Sequence, residues 1–395
     1  MLERIIFLCL YPPELDGSAF SNAEFVQGLA GRGFTIEVIA QPCKGDAEYD
    51  QWTSQEHGVI VHRVPVQIPY EGKPPSQTQL REIWGFIEQT LAGRNGNMPE
   101  IGVIGHDSWA WYEPLLHGFG LPVVQHLRGT PTRAIMHNIY PPDATTEYLE
   151  RVMSADQIVA LGHHFERLML ELGYPSDRVS TIHNGVDVDH FYPRNGWNGE
   201  LTLMRQHDIP EDAVVVVHAS NHYPVKRITD IVESAHFVIR QHPKVIYLII
   251  GEGPESDRVR SAVDESPYSA NFRLVGRVAY ADMPNYLRIG RIFVLSSESE
   301  GFSRATVEAQ ACGLYLIMSD MPAGLERTGN GIRGTNYRVG DAQDLARKTL
   351  DVLDMDAGEF ARITKAGRDF VVTNCSYDVQ LDRYERLLRT IAKRV

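Results

Sequence analysis

The pattern that most constrains this chain is a strand–helix–strand arrangement that begins twice, once at its start and again past its middle. Residues 5–10 are apolar at every position, as a strand covered on both faces should be. A turn-rich loop follows, and then Ala23, Val26, Gln27, Leu29 and Ala30 give a mainly apolar helical stripe closed by Gly31-Arg32-Gly33. A second strand is expected over residues 35–40. The same order returns with the β-branched run 213–218 and a polar loop to Arg227. Ile228, Ile231, Val232, Ala235, Val238 and Ile239 follow at helical spacing, and the run 245–250 ends in Gly251-Glu252-Gly253. Strands joined through a helix lie parallel, so each half calls for a parallel sheet with helices on its faces.

Two such starts predict an α/β chain of two Rossmann-like domains. Pro193, Asn195, Gly196 and Asn198 make the stretch 192–198 polar and turn-prone, which marks the join. The expected domains are therefore 1–195 and 196–375, with a C-terminal helix in 376–395. That helix carries Leu381, Tyr384, Leu387, Leu388 and Ile391, but pattern alone does not name the surface it docks on.

Composition narrows the function. The formal net charge is −13 and no block of Lys or Arg occurs, which argues against a nucleic-acid partner and against strong attraction to anionic lipid. No apolar run approaches the roughly 20 residues that span a bilayer, so no transmembrane segment is expected. The apolar start follows acidic Glu3 and lacks a small-residue cleavage site, and reads as a buried strand rather than a signal peptide. Cys9, Cys43, Cys312 and Cys375 are far apart, as incidental reduced thiols of a cytoplasmic protein would be.

The segment 293–320 carries the chemistry. A short strand leads through a small polar loop to Glu300-Gly301-Phe302-Ser303, which opens a helix containing Thr306, Val307, Glu308 and Ala309. This spacing places Glu300 at a site mouth and Glu308 two turns deeper, roughly 12 Å along a helix axis. Between them, N–H groups at a helix N-terminus suit an anion. A phosphate there could have sugar hydroxyls bonded to one carboxylate and ribose hydroxyls to the other. Two helix-favouring surface carboxylates would give the same spacing.

The stretch EGFSRATVEAQACG resembles the E-G-F-G/S-x4-E-A-x-A-x-G signature of retaining glycosyltransferases of family GT4, which have the GT-B fold. The resemblance extends over nearly the whole chain. It includes the Y-P-P-x-x-x-G loop at 11–17, His106-Asp107, the run from Ile182 to Asp187 with Phe191 and Pro193, Gly251-Glu252-Gly253-Pro254, and Val275-Gly276-Arg277-Val278. It implies two Rossmann-like domains facing an interdomain cleft, the acceptor bound by the first and the nucleotide sugar mainly by the second. Glu300, Lys226 and His106 form the implied catalytic set. Glu300 binds donor-sugar hydroxyls, and Lys226 neutralises the leaving diphosphate. Glu308 binds the ribose, and the N–H groups of Phe302, Ser303 and Arg304 cradle the diphosphate beside Gly301. Gly17, which lets its loop approach closely for want of a Cβ, Arg128, Asn221, Arg277 and Val278 complete the donor set.

The resemblance further implies a metal-independent, retaining hexosyltransferase. The departing diphosphate helps deprotonate an acceptor hydroxyl on the same face, and no cofactor beyond the co-substrate is needed; no HExxH motif is present. UDP is the first expectation for the nucleotide and GDP the second. A soluble acceptor is slightly favoured over a lipid-linked one.

Two departures matter. The family's Arg five or six residues before the Lys is replaced by Asn221 or Ser220, and Arg128 stands where a histidine is usual. The expectation is that Arg128 restores the missing cation. A catalytically weakened nucleotide-sugar binding protein and a sugar phosphorylase on the same fold are the alternatives. Weaker signals read as structural: Gly251-x-Gly253 as a tight turn, His218 and His222 as loop histidines, His163-His164 as a helix start. Trp109, Trp111 and Tyr112 read as packing or as an acceptor wall.

Overall fold

The computed structural model describes residues 4–12, 17–42, 53–67, 74–92, 98–128, 140–194 and 199–393. Residues 13–16, Cys43, Gly129-Thr130 and the 195–198 part of the expected join lie outside them. The chain divides into two compact units, Met1–Gly185 with Tyr377–Val395, and Val186–Ser376.

In the first unit, β1 (Arg4–Leu8), β2 (Thr35–Ala40), β3 (Thr53–Glu56), β4 (Val59–Arg63), β5 (Ile101–Ile104), β6 (Val123–Leu127), β7 (Gln157–Ala160) and β8 (Val179–Thr181) form one sheet. Its order is β3-β4-β2-β1-β5-β6-β7-β8. Only the β3–β4 pair is antiparallel among the described strands. β1 pairs with β2 on one side and β5 on the other, so the strand order reverses between β1 and β5. Loops leaving the carboxyl ends of those two strands diverge, which makes a crevice there. β1 is shorter than the apolar run 5–10; Cys9 and Leu10 stay buried beyond it.

The last helix, Tyr377–Ala392, belongs to this unit's core. Leu381, Tyr384, Leu388 and Ile391 pack with Phe25, Val26 and Leu29 of the Gly17–Gly31 helix. The Phe25 and Tyr384 rings lie 4.3 Å apart, and the Tyr384 hydroxyl meets His126 Nε2 at 2.9 Å. Burial holds the His126 imidazole neutral, well below its ordinary range, and the Arg128 charge acts in the same direction. At the surface, Arg32 ties the two helices through Asp382 at 2.6 Å and Glu385 at 3.3 Å.

The second unit holds β9 (Val214–Ala219), β10 (Val245–Ile250), β11 (Phe272–Gly276), β12 (Ile292–Leu295), β13 (Tyr315–Ser319) and β14 (Thr335–Tyr337). Their order, β11-β10-β9-β12-β13-β14, reverses between β9 and β12. The chain enters and leaves this unit side by side: Val186 bridges Ser376, and its N–H donates to the Cys375 carbonyl at 2.8 Å. That pairing sets the change of unit at Gly185, ahead of the turn-prone 192–198 stretch. Asp187 accepts from the N–H groups of Asp189 and His190, both at 3.0 Å. Phe191 is buried, and Arg368 binds the carbonyls of Phe191, Val188 and Ala311.

Leu388→Ala should cost the first unit about 2–5 kcal/mol, since a fully buried leucine leaves a cavity. Trp84, Trp109 and Trp111 all lie in that unit, so urea unfolding followed by tryptophan fluorescence should show an earlier transition. An unchanged midpoint would mean that the helix is not part of that core.

Candidate functional site

The second sheet's strand-order reversal positions most of the expected site. From β9 the chain runs through Ser220, Asn221 and His222 into the 3-10 turn Pro224–Lys226. From β12 it runs through Ser296 to Glu300. The two loops are stitched together. The Ser296 hydroxyl donates to the Lys226 carbonyl at 2.7 Å and the Ser297 hydroxyl to the Val225 carbonyl at 3.1 Å. The Glu298 N–H also donates to Val225, at 3.0 Å. This registers Lys226 Nζ against Glu300 Oε1 at 2.5 Å, with side chains only 19% and 9% exposed.

Glu300 precedes the helix, which spans Arg304–Ala311 after a left-handed turn at Ser303 (φ 56°). The expectation of two carboxylates spaced along one axis therefore fails, because the positive-φ turn breaks the axis. Glu308 alone sits on the helix. Its carboxylate accepts from Arg304 Nε at 2.9 Å. The Arg304 guanidinium also bonds the Tyr280 hydroxyl and lies over the Tyr280 ring, 4.5 Å from its centroid. Thr306 N–H donates to the Ser303 carbonyl at 3.2 Å; the N–H groups ahead of it stand before the helical ladder begins, so this end of the helix is suited to an anion.

The surrounding positions differ in character. Asn221 is exposed, and its carbonyl accepts from Tyr223 N–H at 2.8 Å. Arg227 is held by Asp230 at 2.8 and 3.3 Å, with Glu298 3.7 Å away. Arg277 is exposed beside the Glu252 carboxylate at 3.4 Å, and half-buried Val278 follows it. Gly251 adopts φ 116°, and a Cβ there would collide with the Ser220 carbonyl. A Cβ on Gly253 would lie 2.7 Å from the His222 nitrogen. The Gly251-x-Gly253 turn thus lets the β9 loop pass close by. His218 donates from Nδ1 to the Val294 carbonyl at 2.9 Å and meets Ser220 Oγ at 2.8 Å. Burial, opposed in part by the Val294 bond, pushes its pKa down to about 3. Burial also lowers His222, whose Nδ1 meets Ser256 Oγ at 3.1 Å.

The first unit's expected residues gather at its own strand-order reversal. Gly17 opens the Gly17–Gly31 helix. His106 follows β5 and caps the Asp107–Tyr112 turn, accepting the Ser108 N–H on Nδ1 at 3.3 Å. The same nitrogen meets the Ser108 hydroxyl at 2.8 Å. Arg128, just beyond β6, donates from Nε to the Gly105 carbonyl at 2.6 Å and from its terminal nitrogen to Asn22 Oδ1 at 2.5 Å. Asn22 in turn donates to the Leu10 carbonyl at 2.9 Å. Arg128 thus joins the ends of β1, β5 and β6. Trp109, Trp111 and Tyr112 are buried and pack this region.

The serine stitches and the Arg304–Tyr280 stack were not anticipated from sequence. Ser296-Ser297 directly after a buried strand was the available signal for the first; nothing linked Tyr280 to Arg304.

The family described as Glycosyltransferase Family 4 matches residues 15–190, and Glycosyl transferases group 1 matches 200–370. The N-acetyl-alpha-D-glucosaminyl L-malate synthase of Bacillus anthracis is 24% identical over 353 residues, covering 86% of this chain and 85% of that protein. D-inositol 3-phosphate glycosyltransferase 2 of Catenulispora acidiphila is 24% identical over 357 residues, 84% of this chain and 80% of that one. Among solved structures, Anabaena HepE in complex with UDP and glucose aligns with a TM-score of 0.78 at 16% identity, covering 98% of this chain and 99% of that chain. At that identity the likeness is one of fold.

Neutralising one member of the Lys226–Glu300 pair leaves the other charge largely buried. Lys226→Met or Glu300→Gln alone should destabilise the second unit by up to about 3–5 kcal/mol, and the double variant should recover much of it. Strictly additive losses in urea unfolding would show that the pair is not coupled. Buried, neutral His218 sets an acid limb. Above about pH 6.5 neither state binds its proton; from there down to about pH 3 only the unfolded chain does. Stability should fall as pH drops through that window, by about 1.4 kcal/mol per unit from this group. His218→Asn should show a shallower fall between about pH 7.5 and about pH 5, measured as the urea midpoint; an equal slope would assign the limb elsewhere.

Proposed function

We propose a function from this premise: the chain belongs to the family 4 glycosyltransferases, with the GT-B fold, and is a glycosyltransferase that uses a nucleotide sugar. On our reading the donor is a UDP-sugar, transfer retains the anomeric configuration, and no metal takes part. The observation that carries this is the placing of Lys226, Glu300 and the N-terminus of the Arg304–Ala311 helix together at one strand-order reversal.

The chemistry follows from where charge develops. As the bond to the donor sugar breaks, negative charge grows on the diphosphate. Lys226 and the N–H groups of Phe302, Ser303 and Arg304 stabilise that charge, the kind of interaction that is the usual source of large rate effects. Glu300, held by Lys226, accepts hydroxyls of the donor sugar and fixes its orientation. Glu308 accepts the ribose hydroxyls. Neither carboxylate is assigned as a nucleophile, so a diphosphate oxygen takes the acceptor's proton on the same face. The same reading assigns His106 and Arg128 of the first unit to the donor; within that unit Arg128 orders the ends of β1, β5 and β6. L-malate and inositol 3-phosphate, named in the two relatives, are small hydroxyl compounds. They support a small soluble acceptor for this chain.

Thermal unfolding against UDP, GDP, ADP and dTDP, with and without EDTA, tests the donor half. A nucleotide at 100 times its Kd stabilises by about 2.7 kcal/mol. UDP should raise the midpoint regardless of EDTA, and Glu308→Ala should lose the shift. A shift with GDP alone would change the base; a shift abolished by EDTA would sink the metal-free mechanism. The anomeric proton coupling of the product, read by NMR, decides retention against inversion.

A further inference from the structure

We propose that the Arg304 side chain changes partners when the donor binds, leaving Glu308 for the diphosphate and so supplying the cation that position 221 lacks. This rests on the donor-site reading above, which used only the backbone N–H of Arg304.

Arg304 is the first residue of its helix, where a cation lies against the positive end of the helix dipole. Its side chain is nonetheless only 16% exposed, and the ion pair to Glu308, 8% exposed, offsets that placement. Glu308 is the carboxylate assigned to the ribose. Ribose hydroxyls donate to it and satisfy its oxygens, so a bound nucleotide competes directly with the guanidinium. The displaced guanidinium stays attached at the helix end that faces the diphosphate. Its planar fork of N–H donors matches phosphate oxygens. The Tyr280 ring beneath it supports the cation with either partner, because the attraction to a ring face does not depend on which anion is bonded at the edge. Of the other cations around this loop, Lys226 pairs with Glu300, Arg227 with Asp230 and exposed Arg277 with Glu252, and Arg327 lies over the Phe302 ring, 4.1 Å from its centroid. Asn221 is neutral.

Isothermal titration of the full chain with uridine, UMP and UDP tests the exchange (guanosine, GMP and GDP where thermal unfolding selects guanine). In Arg304→Met the preference for UDP over UMP should drop at least tenfold, while uridine binds as well as to the parent or more tightly, since no ion pair has to open. Arg304→Lys should recover part of the preference. A role confined to packing on Tyr280 predicts the reverse order, with Met the better replacement, and that result would overturn the exchange. So would an unchanged UDP preference in Arg304→Met. Should Arg304→Met fail to fold, Arg304→Gln replaces it in the same comparison. Absence of nucleotide binding by the parent protein would remove the donor-site reading and the exchange together, whereas normal binding with unchanged discrimination would remove the exchange alone.

Discussion

A parallel sheet that winds outward in both directions reverses its strand order at one place, and in each unit of this chain most of the expected functional residues leave the sheet there. At the reversal, helices diverge to opposite faces and the loops between them cannot cover one another. In the second unit this constraint brings Lys226, from the loop after β9, against Glu300, from the loop after β12. Everything else in the site depends on that meeting. The serine hydroxyls of Ser296 and Ser297 lock the loops, the tight Gly251-x-Gly253 turn makes room for the first of them, and the Ser303 turn aims the following helix.

The architecture was legible because buried parallel strands leave a strong trace. The runs at 35–40 and 245–250 coincide with β2 and β10 to the residue. The second is apolar throughout and the first carries Ile36, Val38 and Ala40 on one face, and both are bounded by turn residues, so nothing competes with the strand. The last helix was visible as a stripe but not in its destination. Leu381, Tyr384, Leu388 and Ile391 show only that one face is buried; which unit buries it depends on contacts several hundred residues away in sequence, with Phe25 and Leu29.

Site residues were legible to different depths for a physical reason. Glu300, Glu308 and Lys226 stand out because the chemistry constrains residue type and spacing. The spacing misled in one respect: Ser303 adopts a left-handed conformation that glycine usually serves, and a serine there gives no hint that the helix axis is broken. Arg304 was read through its backbone because side-chain direction at a helix start is set by tertiary neighbours, here Tyr280 and Glu308. Arg128, read as a cation directed at the donor, is also a brace: its bonds to Gly105 and Asn22 hold three strand ends, an arrangement no local pattern announces.

The two ion pairs, Lys226–Glu300 and Arg304–Glu308, share one consequence. Each cation that would serve the diphosphate is already matched by a carboxylate that would serve a sugar. Unpaired, such charges would be costly to keep away from water. Paired, they make the site close to neutral before the donor arrives. Donor binding then exchanges charged partners instead of satisfying bare ones, which moderates affinity for any nucleotide. After transfer the product diphosphate carries more charge than the donor's, and a site of unmatched cations would retain it. Carboxylates that stand ready to reclaim Lys226 and Arg304 favour its departure. Where product release limits turnover, that exchange serves the rate as well as the stability of the empty site.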